Sequence, residues 1–166
     1  MTLVLLLGGA RSGKSGLAIR LAEREGAPVV FVATGEAGDE EMAARIERHR
    51  AERPAAWETV EEPVELERAL AEAPPGSTAI VDCLSLWVSN VFESQPVEAL
   101  AASAAQVAAV REGLTITVSN EVGLGIVPDN VLARRYRDVL GRVNATWAAA
   151  ADEAYLVVAG RRLRLG

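Results

Sequence analysis

Three residue types with distinctive chemistry occur once each in the 166 residues: cysteine, histidine and lysine. A lone Cys83 excludes an intramolecular disulfide framework and a four-cysteine zinc site. A lone His49 excludes a His-rich metal centre. No apolar run approaches the roughly 18–20 residues that a membrane helix needs. The apolar opening, Leu3 to Leu7, is short, lacks a basic flank and runs straight into glycines. It does not read as a secretory signal, so the expected location is the cytoplasm, without membrane insertion. Positive charge is outnumbered, 17 Lys+Arg against 23 Asp+Glu, for a net charge of −6. That balance excludes a general basic nucleic-acid binder and leaves room for a local anion site. Of the basic residues only Lys14 is a lysine, and it falls inside a phosphate-binding motif.

Apolar residues, by contrast, make up 50% of the chain and charged residues 24%. This is enough for a sizeable core and unlike a disordered segment. The length suits one domain, residues 1–166. Short apolar runs predict buried strands at Leu3–Leu7, Val29–Ala33, Thr78–Val81, Leu114–Ser119 and Ala154–Ala159. Thr59–Glu61 reads as a short strand, and Leu163–Leu165 as an edge hairpin strand. Helices are predicted at Ser12–Glu25, Asp39–Glu52, Val64–Ala73, Ser85–Phe92, Ala99–Glu112 and Val131–Ala151, with glycine and proline as the main stops. Strands alternating with helices, most strands apolar throughout, indicate an α/β fold. It has three layers, with a mostly parallel central sheet between helices.

Gly8-Gly9-Ala10-Arg11-Ser12-Gly13-Lys14-Ser15 matches G-x-x-x-x-G-K-[ST] in full, between a predicted strand and a predicted helix. Glycines let the backbone wrap around phosphates so that successive amides point inward as an anion nest. The following helix adds its positive end. Lys14 is placed to reach the β- and γ-phosphates, and Ser15 to hold Mg2+. A second Mg2+ ligand is expected at the end of another core strand. Ala79-Ile80-Val81-Asp82 supplies a carboxylate there. An aspartate capping the next helix is the alternative.

Met42, Ile46, His49 and Arg53 follow helical spacing along one face. Taken alone, that pattern describes a half-buried histidine beside a core stripe. Arg45, Arg48, Arg50 and Arg53, however, form a cationic cluster in an acidic chain, which suits a polyphosphate. Neighbouring cations also favour a neutral imidazole, and a neutral imidazole can attack phosphorus. The same arginines equally fit a solvated helix face paired with Glu40, Glu41, Glu47 and Glu52.

With the phosphate loop, three further stretches carry a resemblance: Asp39 to Ile46 with His49 and Arg53-Pro54; Ser119 to Asn130; and Ala133-Arg134, Arg137-Asp138 and Gly141 to Asn144. Across its length the chain resembles the bifunctional adenosylcobinamide kinase/adenosylcobinamide-phosphate guanylyltransferase family of cobalamin biosynthesis. The resemblance implies a recombinase-like P-loop NTPase fold and a homotrimer. It also implies two reactions: ATP or GTP phosphorylates adenosylcobinamide, and GMP passes from GTP through a GMP-histidine to adenosylcobinamide phosphate. The guanylylated histidine falls on His49. Nucleotide contacts fall on Gly8 to Ser15, on Thr34, Gly35 and Glu36, on Arg50, Ala51, Glu52 and Arg53, on Glu61 and on Asp82.

Thr34-Gly35-Glu36 follows a strand and so shares the sheet edge of the phosphate loop. A carboxylate at position 61 can accept from guanine N–H groups. Asn120-Glu121 ends another strand at that edge, and the glycine-containing loop after it is a candidate wall of the corrinoid pocket. Asp82 and Glu121 are the candidate general bases of the kinase step, by location. The competing readings are another P-loop small-molecule kinase without nucleotidyl transfer, and a recombinase-type assembly protein.

Overall fold

The structure is a computed structural model. It describes residues 1–166 apart from Ala37, Asp39 and Glu52, and apart from the side chains of Glu41, Met42, Arg45 and His49. In chain order the elements are β1 (Thr2–Gly8), α1 (Lys14–Glu25), β2 (Val29–Ala33), α2 (Glu40–Ala51), β3 (Glu58–Glu61), α3 (Leu66–Glu72), β4 (Thr78–Asp82), α4 (Leu84–Val91), α5 (Val97–Val110), β5 (Leu114–Asn120), α6 (Val131–Ala150), β6 (Glu153–Val158) and β7 (Arg161–Leu165).

The described residues form one seven-stranded sheet in the order β3-β2-β4-β5-β1-β6-β7. Every neighbouring pair is parallel except β6 and β7, which run antiparallel. Side chains of a strand alternate between faces, so an unbroken apolar strand must be covered on both. Accordingly Leu3, Leu5 and Leu7 of β1 join the core beneath α3, α4, α5 and α6, where Trp87 and Trp147 are buried. Val4 and Leu6 join the opposite core with Ala18 and Ala22 of α1. The expected three-layer α/β arrangement is what the chain adopts.

Several boundaries differ from expectation for local reasons. α1 begins at Lys14 and not at Ser12, because Gly13 sits at φ 98°, a left-handed conformation outside the helix. α3 begins at Leu66 and not at Val64: the Glu62 carboxylate accepts from the Val64 and Glu65 amides and holds that turn outside the helix. α5 starts at Val97, two residues early, directly after Pro96, a residue suited to a helix start. α2 runs over Glu40–Ala51; the expected ends at Asp39 and Glu52 lie outside the described residues. Arg53 lies beyond α2 and so is not part of the helical face that the spacing predicts for it.

Candidate active site

The carboxyl ends of the parallel strands gather the candidate residues along one edge. β1 delivers the phosphate loop, β2 delivers Thr34-Gly35-Glu36, β3 ends at Glu61 and β4 at Asp82. Register aligns three of these ends, since Ala33 pairs with Glu61 on one side and with Asp82 on the other. Gly8 pairs with Asn120, so β5 lies between the phosphate loop and Asp82.

The loop is built by close backbone approach. A Cβ at Gly8 would stand 2.3 Å from the Val157 carbonyl oxygen of β6, so only glycine fits. On its far side the loop is tied to the β6–β7 turn, where the Gly160 amide donates to the Ser12 carbonyl at 2.8 Å. Arg11 takes a left-handed conformation, φ 54°, as the chain turns through the loop. The Lys14 side chain is buried, and its ammonium lies back across the loop. It donates to the carbonyls of Gly8 (2.9 Å) and Gly9 (2.6 Å) and to Ser12 Oγ (3.4 Å). The cation is thus held within the loop by the loop's own oxygens. Ser15 follows within the first turn of α1.

A second cluster lies where α2 and β3 end. The Arg50 guanidinium pairs with the Glu47 and Glu61 carboxylates. Arg53 stacks over the Phe31 ring at 3.6 Å and donates to Thr59 Oγ1 at 3.4 Å. Burial lowers the Arg53 pKa from its ordinary value; Asp82 opposes this, Arg50 adds to it and Glu61 opposes it. Among the described residues the Arg53 Nε is buried without a hydrogen-bond partner. Within the field of Asp82, this guanidinium holds a positive charge at this end of the sheet. His49 belongs to α2, one residue before Arg50, with its side chain outside the described set; Glu52 lies outside it entirely.

Thr34 and Asp82 share a brace. Thr34 is fully buried; its hydroxyl donates to the Cys83 carbonyl at 2.7 Å and accepts from the Cys83 amide at 2.9 Å. Its own amide donates to the Asp82 carbonyl at 3.3 Å. The hydroxyl therefore fixes the β4–α4 junction that carries Asp82. Gly35 and Glu36 continue toward the surface, Glu36 being exposed.

Sequence reasoning missed three supporting residues. Asn90 of α4 donates to the carbonyls of Thr34 (2.7 Å) and Pro63 (3.1 Å), joining the chain after β2 to the chain after β3. A lone amide in the mostly apolar run of α4 was the available signal. Asn144 of α6 accepts from Ser119 Oγ at 2.6 Å and donates to the Asn120 carbonyl at 3.0 Å, securing the end of β5. Tyr136 donates to the Ser85 carbonyl at 2.8 Å, and burial pushes its pKa up to about 12, so it remains a donor. From β5, the Glu121 amide returns to the Gly8 carbonyl at 3.0 Å.

An α/β sheet with a lysine-bearing phosphate loop at its carboxyl edge and a carboxylate one strand removed is a nucleotide site. Comparison with known proteins gives it a family. Residues 4–165 match the model of "Cobinamide kinase / cobinamide phosphate guanyltransferase". The chain belongs to this family. As a member it is a bifunctional transferase, a cobinamide kinase and cobinamide phosphate guanylyltransferase of adenosylcobalamin biosynthesis. It is similar to the bifunctional adenosylcobalamin biosynthesis protein CobP of Pseudomonas aeruginosa, 44% identical over 160 residues, covering 94% of this chain and 92% of that protein. CobU of Escherichia coli, with the same descriptive name, is 39% identical over 175 residues, covering 95% and 96%. Among solved structures the RadB recombinase superposes with a TM-score of 0.55 at 14% identity, covering 93% of this chain and 73% of that one. At that identity the likeness speaks for the recombinase-like phosphate-loop fold alone.

No helix among the described residues is long and apolar enough to cross a membrane.

Proposed function

We propose that one domain, residues 1–166, performs both family reactions on adenosylcobinamide at this edge, and that GMP is carried between them on His49. The phosphate loop, Gly8 to Ser15, holds the triphosphate of ATP or GTP through its inward amides and the Lys14 ammonium. Ser15 and Asp82 provide a hydroxyl and a carboxylate, both hard oxygen donors. That set suits Mg2+, which completes its shell with water and phosphate oxygens. When bound, the ion supplies charge neutralisation on the phosphates. Arg50 and Arg53 flank the His49 end of α2, where two guanidiniums can meet phosphate charge. Glu61 is the carboxylate placed to accept from the guanine edge. Gly35 and Glu36 line the same approach, with Thr34 bracing it. Ala51 and Glu52 complete the nucleotide contacts that the resemblance implies.

The chemistry needs little covalent participation beyond one nucleophile, since phosphoryl transfer is governed by positioning and charge neutralisation. In the kinase half an acceptor hydroxyl attacks the γ-phosphorus as the β–γ bridging oxygen departs with the nucleoside diphosphate. Asp82 and Glu121 are the carboxylates located to take the proton. In the transferase half a neutral His49 nitrogen attacks the α-phosphorus of GTP; the P–O bond to pyrophosphate breaks as the N–P bond forms. A phosphate oxygen of adenosylcobinamide phosphate then attacks the same phosphorus, and the N–P bond breaks to free the imidazole.

One observation carries this reading: a complete phosphate loop and a histidine flanked by arginines occur together in a chain that matches the family model from end to end. Assembly as a homotrimer and a cytoplasmic location accompany the resemblance. The test is to incubate the intact protein with GTP and weigh it. A mass gain of one GMP, absent from His49→Ala and discharged by adenosylcobinamide phosphate, is the expected result. An unchanged mass in the wild type would leave only the kinase.

A further inference from the structure

Eleven large apolar side chains stand exposed among the described residues, and six of them cluster on one stretch: Val122, Leu124, Ile126, Val127, Val131 and Leu132. Leu124 is 83% exposed and Ile126 97%. The backbone beneath them is nevertheless fixed. The Glu121 amide is anchored on the Gly8 carbonyl of the phosphate loop, and the Gly123 amide donates to Glu121 Oε1 at 2.5 Å. Arg134 of α6 gathers the far end, donating to the carbonyls of Pro128 (2.8 Å) and Asp129 (2.7 Å). Asn130 caps α6 through the Ala133 amide at 3.1 Å. A segment tied at both ends that holds bulky apolar groups in water is a recognition surface.

We infer that Val122–Leu132 is the platform on which the corrin macrocycle of the acceptor lies. This rests on the proposed two-step reading, whose acceptor must bring its hydroxyl to within about 3–3.5 Å of the transferred phosphorus. The rest of that large molecule then extends over whatever adjoins the phosphate loop, and this stretch adjoins it through the Gly8–Glu121 hydrogen bond. Chemistry matches as well as location. A corrin ring is a broad apolar surface fringed with uncharged amides, and residues 122–128, Val-Gly-Leu-Gly-Ile-Val-Pro, carry no charge in a chain that is 24% charged.

The decisive experiment measures steady-state kinase kinetics on the full chain with Leu124→Asp/Ile126→Asp, alongside Leu124→Met/Ile126→Leu. The aspartate pair should raise the KM for adenosylcobinamide on the order of tenfold or more, the scale of losing two buried aliphatic contacts. The apolar pair should restore the wild-type value. The KM for nucleotide and the covalent guanylate formed from GTP should be unchanged in both. Because Ile126 is almost wholly exposed, Ile126→Ser serves as a variant that cannot perturb the fold, with a severalfold rise in the same KM. An unaltered corrinoid KM in the aspartate pair, or a change of sedimenting mass in its place, overturns the inference; the latter assigns the strip to contact between copies. If wild-type protein itself neither phosphorylates adenosylcobinamide nor takes up GMP, it is the functional reading that falls. If it does both and only the strip variants are silent, that reading stands and the platform falls.

Discussion

The phosphate loop and the arginine cluster after α2 occupy the same edge but are made in different ways. The loop is a backbone object. Gly8 passes under the Val157 carbonyl, Gly13 turns left-handed, and the one charged side chain inside, Lys14, is bonded to carbonyls of its own loop. Eight consecutive residues specify almost all of it. The cluster is a side-chain object: Arg50 reaches Glu61, eleven residues away, and Arg53 lies on Phe31 of a different strand. Its geometry depends on β2 and β3 being neighbours, which no local motif encodes. In the proposed reading the loop binds triphosphate generically, and the cluster adds selectivity and the second reaction.

That contrast can be broken by substitution, and the largest effect belongs to the second region. His49→Ala should lower guanylyl transfer by a thousandfold or more, the order seen when a sole nucleophile is removed, with most kinase turnover kept. Assays of both half-reactions on one preparation check the split, and an equal loss in both would merge the two regions into one. Lys14→Ala comes next. Loss of one preorganised cation against phosphate charge should cost about 10²–10³-fold in kcat/KM for the kinase step, with the fold intact by circular dichroism.

Gly8→Ala should act through structure. A Cβ 2.3 Å from a backbone oxygen forces β1 from β6, an overpacking cost of about 1–3 kcal/mol. Chemical denaturation would show it together with weakened nucleotide binding. The smallest change is expected from Asn90→Ala. It leaves the Thr34 and Pro63 carbonyls without this donor, for about 1–2 kcal/mol in stability. Because Thr34 braces Asp82, the KM for nucleotide should rise modestly, and an unchanged KM would confine Asn90 to folding.

The order of these effects follows how far each part could be read from the chain. The strand–helix alternation and the phosphate loop were legible because both depend on short-range pattern: apolar runs that must be covered on two faces, and glycines spaced for a turn. Asp82 was legible as a carboxylate ending an apolar run. Arg50 stood out as part of a cationic cluster, but Glu61 only through family resemblance, since nothing local distinguishes it from Glu62. Thr34 stands among the nucleotide contacts that the resemblance implies; the bond of its hydroxyl to the Cys83 backbone spans 49 residues, and no local pattern announces it. The parts played by Asn90, Asn144 and the Ala159–Gly160 turn were hidden for the same reason: each works by bonding a segment distant in sequence.

The resting position of Lys14 has a thermodynamic consequence. Its ammonium has already been stripped of most bulk solvent and is cradled by carbonyl dipoles before any nucleotide arrives. The penalty for drying that charge is thus settled when the chain folds, and binding becomes an exchange of one set of oxygens for another. Such a swap releases few waters and few counterions at this residue, so salt should weaken triphosphate binding mainly through the surface arginines.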